Sequence, residues 1–174
     1  NERNIKIDLN SLAKGYGVDI LYEYLVKKVD VDFLIEIGGE IRTKTNIVDN
    51  GDDWIIGIQN PLKKSLIKTI NLNNLALATS GTYNNYFEED GLEYSHIINP
   101  KTGYPIEHHI LSVSVIAPDC IDADALATML MVVDWKDGID IINNIDKTEC
   151  LIITKNKNSL SLNYSDGFED FIVE

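Results

Sequence analysis

Asp124 and Thr128 stand four positions apart in DADALATMLM, residues 122–131, a stretch that otherwise reads as an apolar helix. Side chains at i and i+4 lie on one helical face a turn apart, so this pair could offer a carboxylate and a hydroxyl oxygen to one ion. Hard oxygen donors suit Mg²⁺, which takes one or two carboxylates and completes its shell with waters, carbonyls and substrate phosphates. The same spacing also suits a plain helix, with Asp124 favoured by the helix dipole and Thr128 bonded back to the preceding turn. Asp122 is two residues from Asp124, points to a different face, and is the candidate N-terminal cap.

Other segments carry chemistry of different kinds. His96, in YSHIINPKTGYP, has the side chain most often used as a general base near neutral pH, and it also suits a structural role at a strand end. His108 and His109 fall in a polar loop and read as solvated. Thr79, Ser80 and Gly81 close the apolar run ALATSG, where a small-residue turn would present backbone N–H groups to a phosphate. In IEIGGEI, Gly38 and Gly39 would let backbone approach a flat ligand, with Glu36 and Glu40 as acceptors for ring or ribose donors. Lys14, Gly15 and Gly17 open a helix in DLNSLAKGYG, where small residues permit close approach and Lys14 by itself suits a surface charge. No phosphate-binding P-loop, dinucleotide GxGxxG, HExxH, GxSxG or paired CxxC motif occurs.

These residues need elements to hold them. Residues 5–9 are predicted as a short strand leading into a helix capped by Asn10 or Ser11, with Leu12, Ala13, Tyr16, Gly17, Ile20, Leu21, Tyr24 and Leu25 as its buried stripe. VDFLIEIGGEIRTKT predicts two strands folded at Gly38-Gly39. WIIGIQNP, SLIKTINL, NNLALATSG and GLEYS predict further strands, and ILSVSVIAP alternates as a half-buried one. A helix follows over about 122–133, with Ala123, Leu126, Ala127, Leu130 and Met131 as its apolar face, then a short helix in WKDGIDIINNI. ECLIITK, SLSLNYS and FEDFIVE predict a terminal set of strands. Strands in neighbouring runs, without regular βαβ alternation, imply one α+β domain over 1–174 with mostly antiparallel pairing.

Composition narrows the partners. The 174 residues are 44% hydrophobic and 25% charged, enough for a sizeable core. A net charge of −13 argues against nucleic acid, whose affinity rests on clustered Lys and Arg, and suits either solubility or a cation-dependent site. Cys120 and Cys150 match no zinc or redox spacing and are expected as buried free thiols. There is no bilayer-length apolar run and no signal peptide, and the opening NERNIKIDLN without an initiator Met suggests a fragment or processed chain.

In order along the chain, DLNSLAKGYGVD, IEIGGEIR, WIIGIQNP, ALATSGTYNNYF, YSHIINPKTGYP, SVSVIAP and DADALATML together resemble the ApbE family of FAD:protein FMN transferases. The resemblance covers nearly all of the chain and implies an ApbE-like, T-fold-like architecture. It implies a Mg²⁺-dependent enzyme that binds FAD, transfers its FMN half to a threonine or serine hydroxyl of a target flavoprotein and releases AMP. Hydrolysis of FAD to FMN and AMP by an FAD pyrophosphatase, or an inactive flavin-binding fragment, are the alternatives. By the resemblance, Asp124, Thr128 and the carbonyl of Ala13 would hold the metal, and His96 would be the catalytic base. Glu36, Gly38, Gly39, Glu40, Thr79, Ser80, Gly81 and Lys14 would line the FAD site. It further implies a lipoprotein on the extracytoplasmic face of a bacterial membrane, with any anchor outside this chain; a homodimer is compatible with it. Many relatives read Gly-Gly-Asp or Gly-Gly-Asn where this chain has Gly38-Gly39-Glu40, which keeps an acceptor. The half upstream of DLNSLAKGYG in family members is not in this chain.

Overall fold

The computed structural model describes residues 9–46, 54–82, 86–89, 92–95, 97–106, 109–156 and 159–173. Its elements are α1 (Ala13–Val26), β1 (Phe33–Ile37), β2 (Glu40–Lys44), β3 (Ile55–Gln59), β4 (Leu66–Asn71), β5 (Ala76–Gly81), β6 (Tyr86–Glu89), β7 (Leu92–Ser95), β8 (Ile110–Ala117), α2 (Cys120–Leu130), α3 (Trp135–Ile142), β9 (Glu149–Asn156) and β10 (Ser159–Tyr164). Six strands form one antiparallel sheet in the order β1-β2-β5-β8-β9-β10, while β3–β4 and β6–β7 are separate hairpins. The expected α+β class with antiparallel pairing is what the chain adopts.

The sheet is covered on both faces. On one, Ala78, Val113, Val115 and Ile152 pack against Ala123, Ala127 and Leu130 of α2. On the other, Leu77, Ile116, Leu151 and Ile153 meet Ile56, Ile58 and Ile70 of the β3–β4 hairpin and Phe168. This explains why β8 is buried almost throughout, where alternation predicted a half-buried strand: it lies mid-sheet between two apolar layers. Each fully buried Leu, Ile or Phe of this kind contributes roughly 1.5 to 3 kcal/mol over leaving it exposed. The predicted last strand, FEDFIVE, is instead a 3₁₀ turn at Phe168–Phe171. It seats Phe168 in the core, and Ile172 alone bridges to Ile70.

Helix α1 differs most from expectation. Of its predicted stripe, Ala13 is exposed, Tyr16, Ile20, Leu21 and Tyr24 are exposed at 45 to 61%, and Leu12, Gly17 and Leu25 are half-buried. The helix is rotated so that Gly15 and Val18 are buried, with Tyr22 and Leu25 packed behind them. A glycine adds nothing to an apolar pattern, so the face that seats Gly15 against α2 does not stand out in the sequence. The predicted caps also fail: the helix starts after Leu12, not Asn10 or Ser11, and Leu12 makes no side-chain cap. Residues 5–8 of the predicted first strand lie outside the described residues, and Leu9 is not in a strand.

Candidate active site at the junction of α1, α2 and β5

The start of α1 and the body of α2 touch at Gly15. The Gly15 N–H donates to Asp124 Oδ2 at 2.9 Å, and Asp124 is 97% buried, its exposure being 3%. The contact needs a glycine: a Cβ there would lie 2.8 Å from Asp124 Cβ and overlap the Cys120 carbonyl. Burial pushes the Asp124 carboxyl above its ordinary range, opposed by the Gly15 N–H and by the charge of Lys14. A carboxylate in this state gains from a cation beside it.

One turn along α2, Thr128 Oγ1 lies 3.1 Å from Ser80 Oγ on β5. Thr128 lines a cavity of about 510 Å³ together with Ser11, Ile97, Ile98 and Ala125. That volume is in the range of small-molecule pockets. Thr79 pairs with Ser114 at 2.8 Å. Thr79, Ser80 and Gly81 were expected in a turn presenting free N–H groups to a phosphate; they are instead strand residues laddered to Ser114, Val113 and Ser112 of β8. Of the three, Ser80 turns its hydroxyl to Thr128, while Thr79, on the opposite face of the strand, pairs with Ser114.

The Gly38-Gly39 hairpin forms as read, with both glycines at positive φ (62° and 102°), a region that side-chain-bearing residues avoid. Glu36 accepts from the Gly39 N–H at 2.7 Å and so braces the turn. Glu40 is 1% exposed and pairs with Lys14 Nζ at 2.7 Å, so Lys14 is not an idle surface charge. The second Glu40 oxygen is buried without a hydrogen-bond partner among the described residues. Burial pushes the Glu40 carboxyl up, with Lys14 opposing and the charge of Asp124 adding to the rise. Lys14, Gly15, Glu40 and Asp124 therefore meet at the α1–α2 contact, with Thr128 and Ser80 one turn along α2 and Ala13 at the first position of α1. His96 and His108 lie outside the described residues, and His109 is exposed, as expected for a loop histidine.

A raised carboxyl binds its proton more tightly in the native state, so native stability falls as pH rises from the unfolded value of about 4.5 through the higher native one. Glu40→Gln is neutral at every pH and keeps an acceptor for Lys14. Its melting temperature is expected to vary less than that of the unaltered chain between pH 4.5 and 7, measured by circular dichroism. Equal slopes would show that Glu40 titrates normally.

Reading the sequence missed three residues. Ser11 borders the same cavity as Thr128. Asp19 and Arg42 form a half-buried ion pair at 2.7 Å, with exposures of 13% and 12%. Signals existed: Asp19 falls one turn after Gly15, and Arg42 is one of only two arginines in the chain. Asp122, proposed as the cap of α2, is exposed in the first turn, and the N-cap position is Asp119. Both cysteines are free and buried as expected, and burial raises both thiols, Cys150 to about 12, which removes them as nucleophiles at neutral pH.

The donors shown around α2 are the Asp124 carboxylate and the Thr128 and Ser80 hydroxyls. Among the described residues no cluster of three His, Cys, Asp or Glu side chains exists. Such a set fits Mg²⁺, which binds through few protein ligands and takes the rest from water and phosphate, better than it fits zinc.

The chain is similar to known proteins in sequence and fold. The ApbE family profile matches residues 1–152. A FAD:protein FMN transferase of Vibrio cholerae is 39% identical over 168 residues, covering 95% of this chain and 50% of the relative. One from Haemophilus influenzae is 40% identical over 152 residues, covering 86% of this chain and 44% of the relative. Among solved structures, the ApbE protein of Thermotoga maritima superposes with a TM-score of 0.84 at 33% identity, covering 97% of this chain and 54% of that one. The flavin transferase ApbE of Vibrio cholerae superposes with a TM-score of 0.80 at 36% identity, covering 95% and 52%. The chain spans about half the length of the curated relatives it matches. With the family profile matched over most of its length and close relatives on nearly all of it, the chain belongs to the ApbE family.

Proposed function

We propose that the protein to which this chain belongs is a Mg²⁺-dependent FAD:protein FMN transferase, moving FMN from FAD to a threonine or serine hydroxyl of a target flavoprotein and releasing AMP. The observation that carries this reading is the buried Asp124 carboxylate held against the Gly15 N–H, with Thr128 one turn on at the wall of a ligand-sized cavity. The relatives' names supply the reaction class.

In the transfer, the acceptor hydroxyl oxygen bonds to the FMN-side phosphorus, the bond to the AMP oxygen breaks, and the hydroxyl proton leaves to a base. Such a step gains most from positioning and charge neutralisation. Asp124, Thr128 and the Ala13 carbonyl would hold Mg²⁺, which when bound neutralises pyrophosphate charge and favours the leaving group. Ser80 fixes the Thr128 hydroxyl rotor through their 3.1 Å contact. Lys14, next to Ala13, adds a cation that an anionic dinucleotide needs in a chain of net charge −13. His96 is the proton acceptor in this reading, by its place in SHIINP. The extracytoplasmic, lipid-anchored location belongs to the same proposal; among the described residues no helix is long and apolar enough to cross a membrane.

The test gives the full-length protein FAD, Mg²⁺ and a target flavoprotein and runs the products on a denaturing gel. A fluorescent covalent flavin band with stoichiometric AMP is expected. FMN and AMP accumulating without the band would replace the transferase by an FAD pyrophosphatase, and intact FAD would leave a binding protein.

A further inference from the structure

We infer that Asp19 and Arg42 are positioning residues for the Asp124 site, acting as a clamp that sets α2 against α1. This inference rests on the reading of Asp124 as a metal ligand.

The first N–H groups of a helix have no partner within it and are normally satisfied by the residue at its own N-cap. In α2 the N-cap residue, Asp119, makes no such bond. The task passes to another helix: Asp19 of α1 accepts from Cys120 N at 3.0 Å through Oδ1 and from Ile121 N at 2.8 Å through Oδ2. Asp19 itself is held by Arg42 of β2, whose Nη1 lies 2.7 Å from Asp19 Oδ1. The other arm of the same guanidinium reaches Asp119 Oδ1 at 2.8 Å, so one arginine ties both carboxylates. Its plane sits 4.0 Å from the Tyr22 ring of α1. Three elements, α1, β2 and α2, thus meet at the first turn of α2.

The clamp and the site are two rungs of one helix contact. Asp19 is four residues after Gly15 on α1, and Cys120 is four residues before Asp124 on α2. The chains run in opposite senses, so Asp19 meets Cys120 one turn away from where Gly15 meets Asp124. A rotation or slide of α2 at the clamp therefore moves Asp124 against the Gly15 N–H and the Ala13 carbonyl. Lysine at 42 keeps a charge but cannot bridge two carboxylates as a planar fork does. Asparagine at 19 keeps the shape but offers one oxygen acceptor where two N–H groups need one each.

The experiment measures Mn²⁺ affinity by titration calorimetry, with melting temperature by circular dichroism, for the 174-residue chain and its Asp19→Asn, Arg42→Lys and Asp124→Asn variants. Outer-shell partners are typically worth 10- to 100-fold in metal affinity, so Asp19→Asn and Arg42→Lys are each expected to weaken Mn²⁺ binding by about 10-fold. A lowered melting temperature with unchanged Mn²⁺ affinity would make the pair a structural brace only and overturn the inference. Loss of binding in Asp124→Asn with full binding in the clamp variants has the same result. Binding that survives Asp124→Asn, or no Mn²⁺ binding by the unaltered chain, would instead remove the ligand assignment on which the clamp depends.

Discussion

Asp124→Asn is expected to leave the metal-free chain at least as stable as the unaltered one at pH 7 while removing its response to Mg²⁺. The two halves of this result have separate causes. Asparagine keeps an oxygen to accept from the Gly15 N–H, so the buried hydrogen bond at 2.9 Å survives; leaving that donor without a partner would cost about 1 to 3 kcal/mol. Burial raises the carboxyl of Asp124, which means that the native state pays to ionise it. At pH above the native value that cost is present in full; it falls away as pH drops through the native value, and asparagine lacks it at all pH. Metal affinity moves the other way, because the buried carboxylate that accepts from the Gly15 N–H has lost its charge. A loss on the order of 100-fold or more is expected, given that an outer-shell partner alone is worth roughly 10- to 100-fold. Thermal melts with and without Mg²⁺ read both effects, since a ligand at 100 times its dissociation constant stabilises by about 2.7 kcal/mol. If Mg²⁺ raises the melting temperature of the variant as much as that of the parent, Asp124 is not a ligand.

Asp124 and Thr128 were legible as a pair because helical spacing alone puts them a turn apart. What spacing left open was which way the face points. In the structure Asp124 turns to Gly15, 109 residues earlier in the chain, and Thr128 to Ser80, 48 earlier. Such partners are set by tertiary packing, and no local pattern in either segment encodes them. The strands were legible for the opposite reason. Alternation and glycine turns are local, and the Gly38-Gly39 hairpin followed from backbone freedom at two positions. Local reading failed where burial came from both sides, as in β8, or where a missing side chain was the signal, as on α1. It also failed for the cap of α2, since a helix capped from another helix leaves no mark at its own start.

The last point makes the two glycines of AKGYG a sharp test, because they sit two residues apart in one helix and are expected to respond with opposite signs. Alanine is favoured over glycine in a helix interior by about 1 kcal/mol. At Gly17 little opposes that gain: an added Cβ would lie 3.4 Å from Ile37 Cδ1, at the edge of ordinary contact, and the far end of an isoleucine can give. Gly17→Ala is therefore expected to stabilise the chain, by up to about 1 kcal/mol. At Gly15 the added Cβ would lie 2.7 Å from the carbonyl carbon of Cys120 and 2.8 Å from Asp124 Cβ, and would overlap the Cys120 oxygen. Backbone cannot rotate aside, so α1 and α2 must separate, at an overpacking cost of typically 1 to 3 kcal/mol that outweighs the propensity gain. Each kcal/mol corresponds to about 2 to 4 °C in a chain of this size. The separation also pulls the residue-15 N–H off Asp124, so Gly15→Ala is expected to lose Mg²⁺ response together with melting temperature, whereas Gly17→Ala keeps the first and raises the second. Equal shifts from the two alanines would mean that the close approach at Gly15 is not what seats α2 against α1.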